Sequence, residues 1–63
     1  MIFDKIQKLC DKKKISIRTL EMMAGLGNGT IGRWRKSDPG VNNLYAVAKI
    51  LEVPIEYFLS EES

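Results

Sequence analysis

Two basic side chains and two glycines lie together in the segment 28–36, where the spacing of apolar residues predicts a helix. At about 100° per residue, Ile31 and Trp34 share the buried side of this helix. The opposite side holds four residues: Gly29, Gly32, Arg33 and Lys36. A glycine inside a helix costs about 1 kcal/mol relative to alanine, so two on an outer face indicate that a partner approaches the backbone closely.

The major groove of DNA is a partner of the required shape. An arginine such as Arg33 suits a guanine edge, and a lysine such as Lys36 suits a phosphate. The alternative is that both glycines lie on an ordinary solvated face.

The sequence lacks the residue types that most catalytic and metal sites need. It contains no histidine, and Cys10 is its one cysteine. Structural zinc sites and the usual nucleophile–base pairs are therefore excluded, and we expect neither enzyme activity nor a cofactor or small-molecule ligand. A lone cysteine forms no internal disulfide, which predicts a reducing, cytoplasmic location. We see no apolar run of the length of a membrane span and no signal peptide.

Length and composition predict one globular domain over residues 1–63. The chain is 44% hydrophobic and 29% charged, which is typical of a folded domain, and 63 residues leave no room for a second core. Its charge is uneven: the segment 1–36 carries a net charge of +6 and the segment 37–63 a net charge of −4. Such a domain can present one face to a polyanion, although uneven solvated charge is the plainer interpretation. The run Lys12–Lys14 either attracts DNA or, as we favour, only ends the first helix.

The apolar spacing is helical throughout and predicts five short helices with no strand. Ser16 is expected to cap the second helix, and Gly25 to end it in the left-handed conformation. A helix-turn-helix unit thus spans about residues 16–36, followed by a loop at 37–40, a fourth helix from Val41, a fifth over about 55–59 and a frayed tail at 60–63. The predicted core consists of ten residues: Ile6, Leu9, Leu20, Ala24, Ile31, Trp34, Leu44, Ala48, Leu51 and Phe58.

The segment from Ser16 to Leu59 resembles the Cro/CI-type (XRE-like) helix-turn-helix repressors of phages and bacteria. The run AGLGNGTIGRW, residues 24–34, is especially similar to repressors of Gram-positive phages and mobile elements. The other matching residues are Ser16, Leu20, Pro39, Leu44, Ala48, Leu51 and Val53. The resemblance implies an all-α, five-helix, lambda-repressor-like domain that binds operator DNA as a dimer, with its third helix in the major groove.

Carried over by position, the resemblance implies two sets of DNA contacts. The residues expected to read bases are Asn28, Gly29, Gly32 and Arg33. The residues expected to contact phosphates are Ser16, Ile17, Thr30, Lys36, Asn42 and Asn43. Cys10 and Arg35 replace an arginine and a glutamate that commonly pair in the family, so Arg35 is expected to be free to contact the DNA backbone as well. Asn28 and Thr30 are alternatively helix caps. Ile17 departs from the glutamine with which the family often grips a phosphate, and Glu21 stands where many members have alanine.

The resemblance implies a sequence-specific transcriptional regulator of double-stranded DNA, a Cro/CI-like repressor in the cytoplasm. With no second domain expected, a weak homodimer should assemble on DNA through the last helix and the preceding loop. The alternative function is a protein-binding module, such as an antirepressor or an antitoxin-like partner, that keeps the fold without binding an operator. Gly29 and Gly32 favour this alternative, because they offer no side-chain donors to bases.

Overall fold

The computed structural model describes residues 2–59. Their regular secondary structure is helical, as predicted. The α-helices are α1 (Ile2–Lys13), α2 (Ile17–Met23), α3 (Val41–Leu51) and α4 (Glu56–Leu59), and a 3-10 helix spans Ile31–Arg35. Four α-helices and one 3-10 helix therefore replace the five helices expected in this part of the chain. The predicted frayed tail, residues 60–63, lies outside the described residues. None of the described helices is long and apolar enough to cross a membrane.

The core lies where α1, α2 and the 3-10 helix meet α3 and α4. Its buried apolar residues are Phe3, Ile6, Cys10, Leu20, Ile31, Trp34, Leu44, Val47, Ala48, Leu51 and Phe58. Eight of the ten predicted core residues are among them, while Leu9 and Ala24 are only partly buried against the cluster. Val41 continues the apolar spacing of Leu44 and Ala48, yet it is 74% exposed. It is the first residue of α3, so its side chain lies beyond the edge of the core.

Ser16 and Gly25 define the two ends of α2 as predicted. The Ser16 hydroxyl oxygen accepts a hydrogen bond from the Thr19 N–H at 3.0 Å, which is the N-cap geometry. Gly25 has φ +74°, and the Leu26 N–H donates to the Glu21 carbonyl oxygen at 2.8 Å. This six-to-one bond with a left-handed glycine is the Schellman motif, and it turns the chain sharply out of α2.

The third helical segment is shorter than the predicted helix over 28–36. Gly29 has φ +84°, a left-handed conformation that a right-handed helix does not contain. Residues 28–30 therefore form a turn, and the connection after α2 is longer than the three residues 25–27 that the sequence predicted. The 3-10 helix begins only at Ile31 and ends at Arg35. Gly29 is thus explained by backbone conformation and not by a position on an outer helix face.

Candidate nucleic-acid interface

The 3-10 helix is fixed to the domain by one row of side chains. Ile31 is fully buried and Trp34 is 5% exposed, and residues three apart eclipse each other in a 3-10 helix. At about 120° per residue the same rule aligns Gly32 with Arg35, and Lys36, the residue that follows the helix, continues the row of Arg33. The basic residues therefore form two exposed rows instead of the single face expected from α-helical spacing.

The row of Arg33 and Lys36 is exposed, and its two positive charges are not paired with an acidic side chain of residues 2–59. Both side chains are exposed, and neither takes part in an ion pair with any residue from Ile2 to Leu59. Gly32 adds open space beside this row, because a Cβ at that position would have no neighbouring atom within 4 Å. A polyanion can therefore approach both the cations and the helix backbone.

Arg35 lies on the other exposed row and has a partner within the domain. Its guanidinium carbon is 4.5 Å from the centroid of the Phe3 ring, a cation–π contact. Arg35 was expected to be free to face DNA, and its side chain is exposed while it contacts Phe3 of α1. A DNA contact of Arg35 stays a prediction.

The turn before the 3-10 helix is held by Glu21, a residue that sequence reasoning placed in no site. Its side chain is 3% exposed. Oε1 accepts a hydrogen bond from the Gly29 N–H at 3.2 Å and Oε2 accepts one from the Ile31 N–H at 2.9 Å. Nη1 of Arg18 lies 3.5 Å from Oε1. The signal available in the sequence was an acidic residue in the α2 position that the family often fills with alanine, facing the third helix.

The net effect of these contacts is to lower the pKa of Glu21. Burial alone raises the pKa, because it removes the charged carboxylate from water. The hydrogen bonds from Ile31 and Gly29 and the nearby Arg18 charge outweigh burial. Glu21 is therefore a carboxylate at neutral pH, and it stabilises the start of the 3-10 helix.

The two capping alternatives for this turn are wrong. Thr30 makes no side-chain cap hydrogen bond, and the exposed Asn28 amide has no hydrogen-bond partner within residues 2–59. The function of a cap is carried by Glu21, which lies eight and ten residues from its two backbone donors. The Asn28 side chain is therefore left available to an external partner.

The other residues expected to contact phosphates lie at the starts of α2 and α3. Ser16 and Ile17 are at the start of α2, with Ser16 exposed and Ile17 partly buried. Asn42 and Asn43 are exposed in the first turn of α3. The Ser16 oxygen is occupied as the α2 cap, and its hydroxyl donates to Thr19 Oγ1 at 2.9 Å.

Residues 6–58 match the model of a helix-turn-helix family. The chain belongs to the helix-turn-helix family. No curated protein and no solved structure is significantly similar to it. The match confirms the family in broad terms, while the Gram-positive phage branch stays a prediction.

The family indicates a DNA-binding regulator whose partner is double-stranded DNA, and such domains are not typically catalytic. In this helix-turn-helix protein, α2 is the first helix of the motif and the 3-10 helix is in the position of the second. The exposed cations at the 3-10 helix therefore lie at the element that enters the major groove in helix-turn-helix proteins.

Proposed function

We propose that this helix-turn-helix protein is a sequence-specific transcriptional regulator, a Cro/CI-like repressor, whose 3-10 helix enters the major groove of operator DNA. The observation that carries the proposal is the pairing of Arg33 with Lys36. Both are exposed and lie in one row without an ion pair to residues 2–59, beside a helix whose other side is anchored by Ile31 and Trp34. A rigidly held row of cations beside open backbone suits the groove edge of a duplex.

The residues of this surface are assigned different roles. Arg33 reads a base, because it is exposed and long enough for a bidentate contact to guanine. Asn28 precedes the helix with its amide free and reads an adenine. Gly29 and Gly32 let bases or the sugar–phosphate backbone come close to the main chain.

The residues around this reading surface hold the backbone of the duplex. We assign phosphate contacts to Ser16, Ile17, Thr30, Arg35, Lys36, Asn42 and Asn43. Ile17 has no side-chain donor, and the Ser16 hydroxyl already donates to Thr19, so both residues contribute only their backbone N–H groups at the start of α2. Phosphate contacts set register and orientation and carry no base information.

A weak homodimer is expected to form on the operator. Tyr57 and Leu59 of α4 are 42% and 59% exposed, which supports an apolar contact between two copies at this helix. Sedimentation of the free protein should show mainly monomer, and addition of operator should give two copies per duplex. A tight dimer in the absence of DNA would contradict this expectation.

Selection of binding sites from random duplexes tests the function directly. The regulator should enrich one family of sites, and its affinity should fall by about 0.9 log units per log unit of salt for each phosphate neutralised. Failure to enrich any site would overturn the proposal. If binding to a protein partner is then found with little salt dependence, the protein-binding alternative is supported.

A further inference from the structure

We propose that Glu21 is a positioning residue for DNA reading: its carboxylate fixes the orientation of the turn 28–30 and hence of Arg33. This inference rests on the proposed function, because it names the residue that gives the base-reading segment its geometry. Glu21 is not itself expected to touch DNA, since its side chain is 3% exposed.

One residue binds three backbone N–H groups along the connection between the two helices of the motif. The Glu21 carbonyl oxygen accepts from the Leu26 N–H at 2.8 Å. The carboxylate accepts from Gly29 and Ile31, one on each oxygen, at 3.2 and 2.9 Å. Glu21 on α2 therefore holds the start, the middle and the end of the connection by hydrogen bonds.

No second side chain in the described structure performs the same task. Thr30 provides no cap, and Gly29 is in a left-handed conformation with no side chain to restrict its backbone. The two donors belong to the Asn28–Gly29 and Thr30–Ile31 peptide groups, so Glu21 orients the peptide planes before and after the pair Gly29–Thr30. Loss of the carboxylate would leave the turn with only its short-range backbone bonds.

The orientation of the turn is passed on to Arg33 through the main chain. The Arg33 N–H is shared between the carbonyl oxygens of Gly29 and Thr30, each at 3.2 Å. A small rotation of the turn therefore shifts the Arg33 side chain at the groove. Base contacts depend on orientation, whereas attraction to phosphates depends mainly on charge. Glu21 should therefore control the preference for the operator over other DNA more than it controls total affinity.

Two variants separate position from charge. Glu21→Gln keeps the shape but replaces one acceptor by an NH₂ group that faces a backbone donor. Glu21→Asp keeps the charge but is one methylene too short to reach both N–H groups. Glu56→Gln is the matched control, because Glu56 is exposed and makes no hydrogen bond or ion pair within residues 2–59. It changes the net charge by the same amount as Glu21→Gln.

The experiment measures the ratio of affinities for two duplexes at a temperature where circular dichroism shows each variant folded. The probes are the tightest duplex that the wild type selects from a random pool and a scrambled duplex of equal length and composition. We expect the ratio to fall at least about tenfold in Glu21→Gln and Glu21→Asp. In Glu56→Gln the ratio should equal that of the wild type. Affinity for the scrambled duplex should not fall in Glu21→Gln, which carries one negative charge fewer.

The outcomes distinguish this inference from the proposed function. A wild type that does not prefer its selected duplex overturns the proposed function itself. A wild type that prefers it, with an unchanged ratio in folded Glu21→Gln and Glu21→Asp, overturns only the role of Glu21. Equal weakening on both duplexes also overturns it, because a residue that merely stabilises the fold gives that result.

Discussion

The guanidinium of Arg35 stacks on the ring of Phe3, 4.5 Å from the guanidinium carbon to the ring centroid. The contact joins the end of the 3-10 helix to the first turn of α1, two segments that are 32 positions apart in the printed sequence. Arg35 thus combines an aromatic contact within the domain with an exposed edge, so its effects on stability and on DNA binding are separable.

Replacement of Arg35 by alanine should weaken binding to every DNA sequence by a similar factor. If Arg35 contacts a phosphate, its loss lowers the slope of log affinity against log salt by about 0.9. Loss of the cation–π contact should also reduce the free energy of unfolding by about 0.5–1 kcal/mol. Binding titrations at several salt concentrations and urea denaturation measure the two effects.

The matched control for this prediction is Phe3→Leu. It removes the aromatic ring but keeps an apolar side chain in the core, with some loss of packing from the smaller volume. Its salt slope should equal that of the wild type. An unchanged slope in Arg35→Ala would show that Arg35 serves the fold alone.

Arg33 in the 3-10 helix and Lys36 just after it lie in one exposed row but should respond differently to alanine substitution. Arg33→Ala is expected to relax preference at a single base pair, at a cost of about 1–3 kcal/mol on the selected duplex. Lys36→Ala should weaken all duplexes about equally and reduce the salt slope by about 1. Affinities for single-base variants of the selected site test both. An even loss over all sequences in Arg33→Ala would assign Arg33 to a phosphate.

Acid should destabilise the protein through Glu21. The folded-state pKa of Glu21 lies below its ordinary value of 4.5, because backbone donors and Arg18 outweigh burial. A depressed pKa contributes stability that is complete above the unfolded-state value and is lost as the pH falls through the folded-state value. Glu21→Gln should therefore be less stable than the wild type by about 1–3 kcal/mol at neutral pH. The difference should shrink below about pH 4.5.

Denaturation of wild type and Glu21→Gln across this pH range tests the prediction. The other carboxyl groups titrate in both proteins, so the difference between the two curves isolates Glu21. A constant difference from pH 7 to pH 3 would mean that the carboxylate charge contributes nothing to folding.

The sequence predicted those parts of the fold that depend on local periodicity. The apolar stripe of α1 and the anchoring pair Ile31 and Trp34 follow from the spacing of apolar residues, because burial imposes that spacing on any amphipathic helix. The ends of α2 were also predictable, since a serine cap and a left-handed glycine are local chemistry.

The start of the third helix was not predictable in the same way. Its position depends on the carboxylate of Glu21, which lies eight residues before Gly29, and on a left-handed backbone at Gly29. Spacing rules treat both glycines of this segment alike, whereas one is required by φ and the other faces open space. The contact of Arg35 with Phe3 likewise requires the tertiary structure, so the spacing of residues could not predict it.

Lys14 ends α1 in a left-handed conformation, with φ 61°. The Ile15 N–H donates to the Cys10 carbonyl oxygen at 3.0 Å, the same motif that Gly25 forms after α2. A side chain with a Cβ is strained in this conformation and glycine is not. Lys14→Gly should therefore raise the free energy of unfolding by about 0.5–1 kcal/mol. Lys8→Gly, within α1, should instead lower it by about 1 kcal/mol. Equal destabilisation by both substitutions would contradict the strain at Lys14.

The thiol of Cys10 should react only when the domain opens. Cys10 is fully buried, and burial, together with the negative charge of Asp11, raises its pKa. The thiolate is the reactive form of cysteine. The raised pKa leaves little thiolate in the native protein, and the Cys10 sulfur is buried. The rate of alkylation by iodoacetamide near pH 8 should therefore follow the population of open molecules. Lys14→Gly should slow the reaction and Lys8→Gly should accelerate it, in proportion to their effects on the unfolding equilibrium. A rate close to that of a small free thiol in the folded wild type, or rates unrelated to the stability of the variants, would show that Cys10 is accessible without opening.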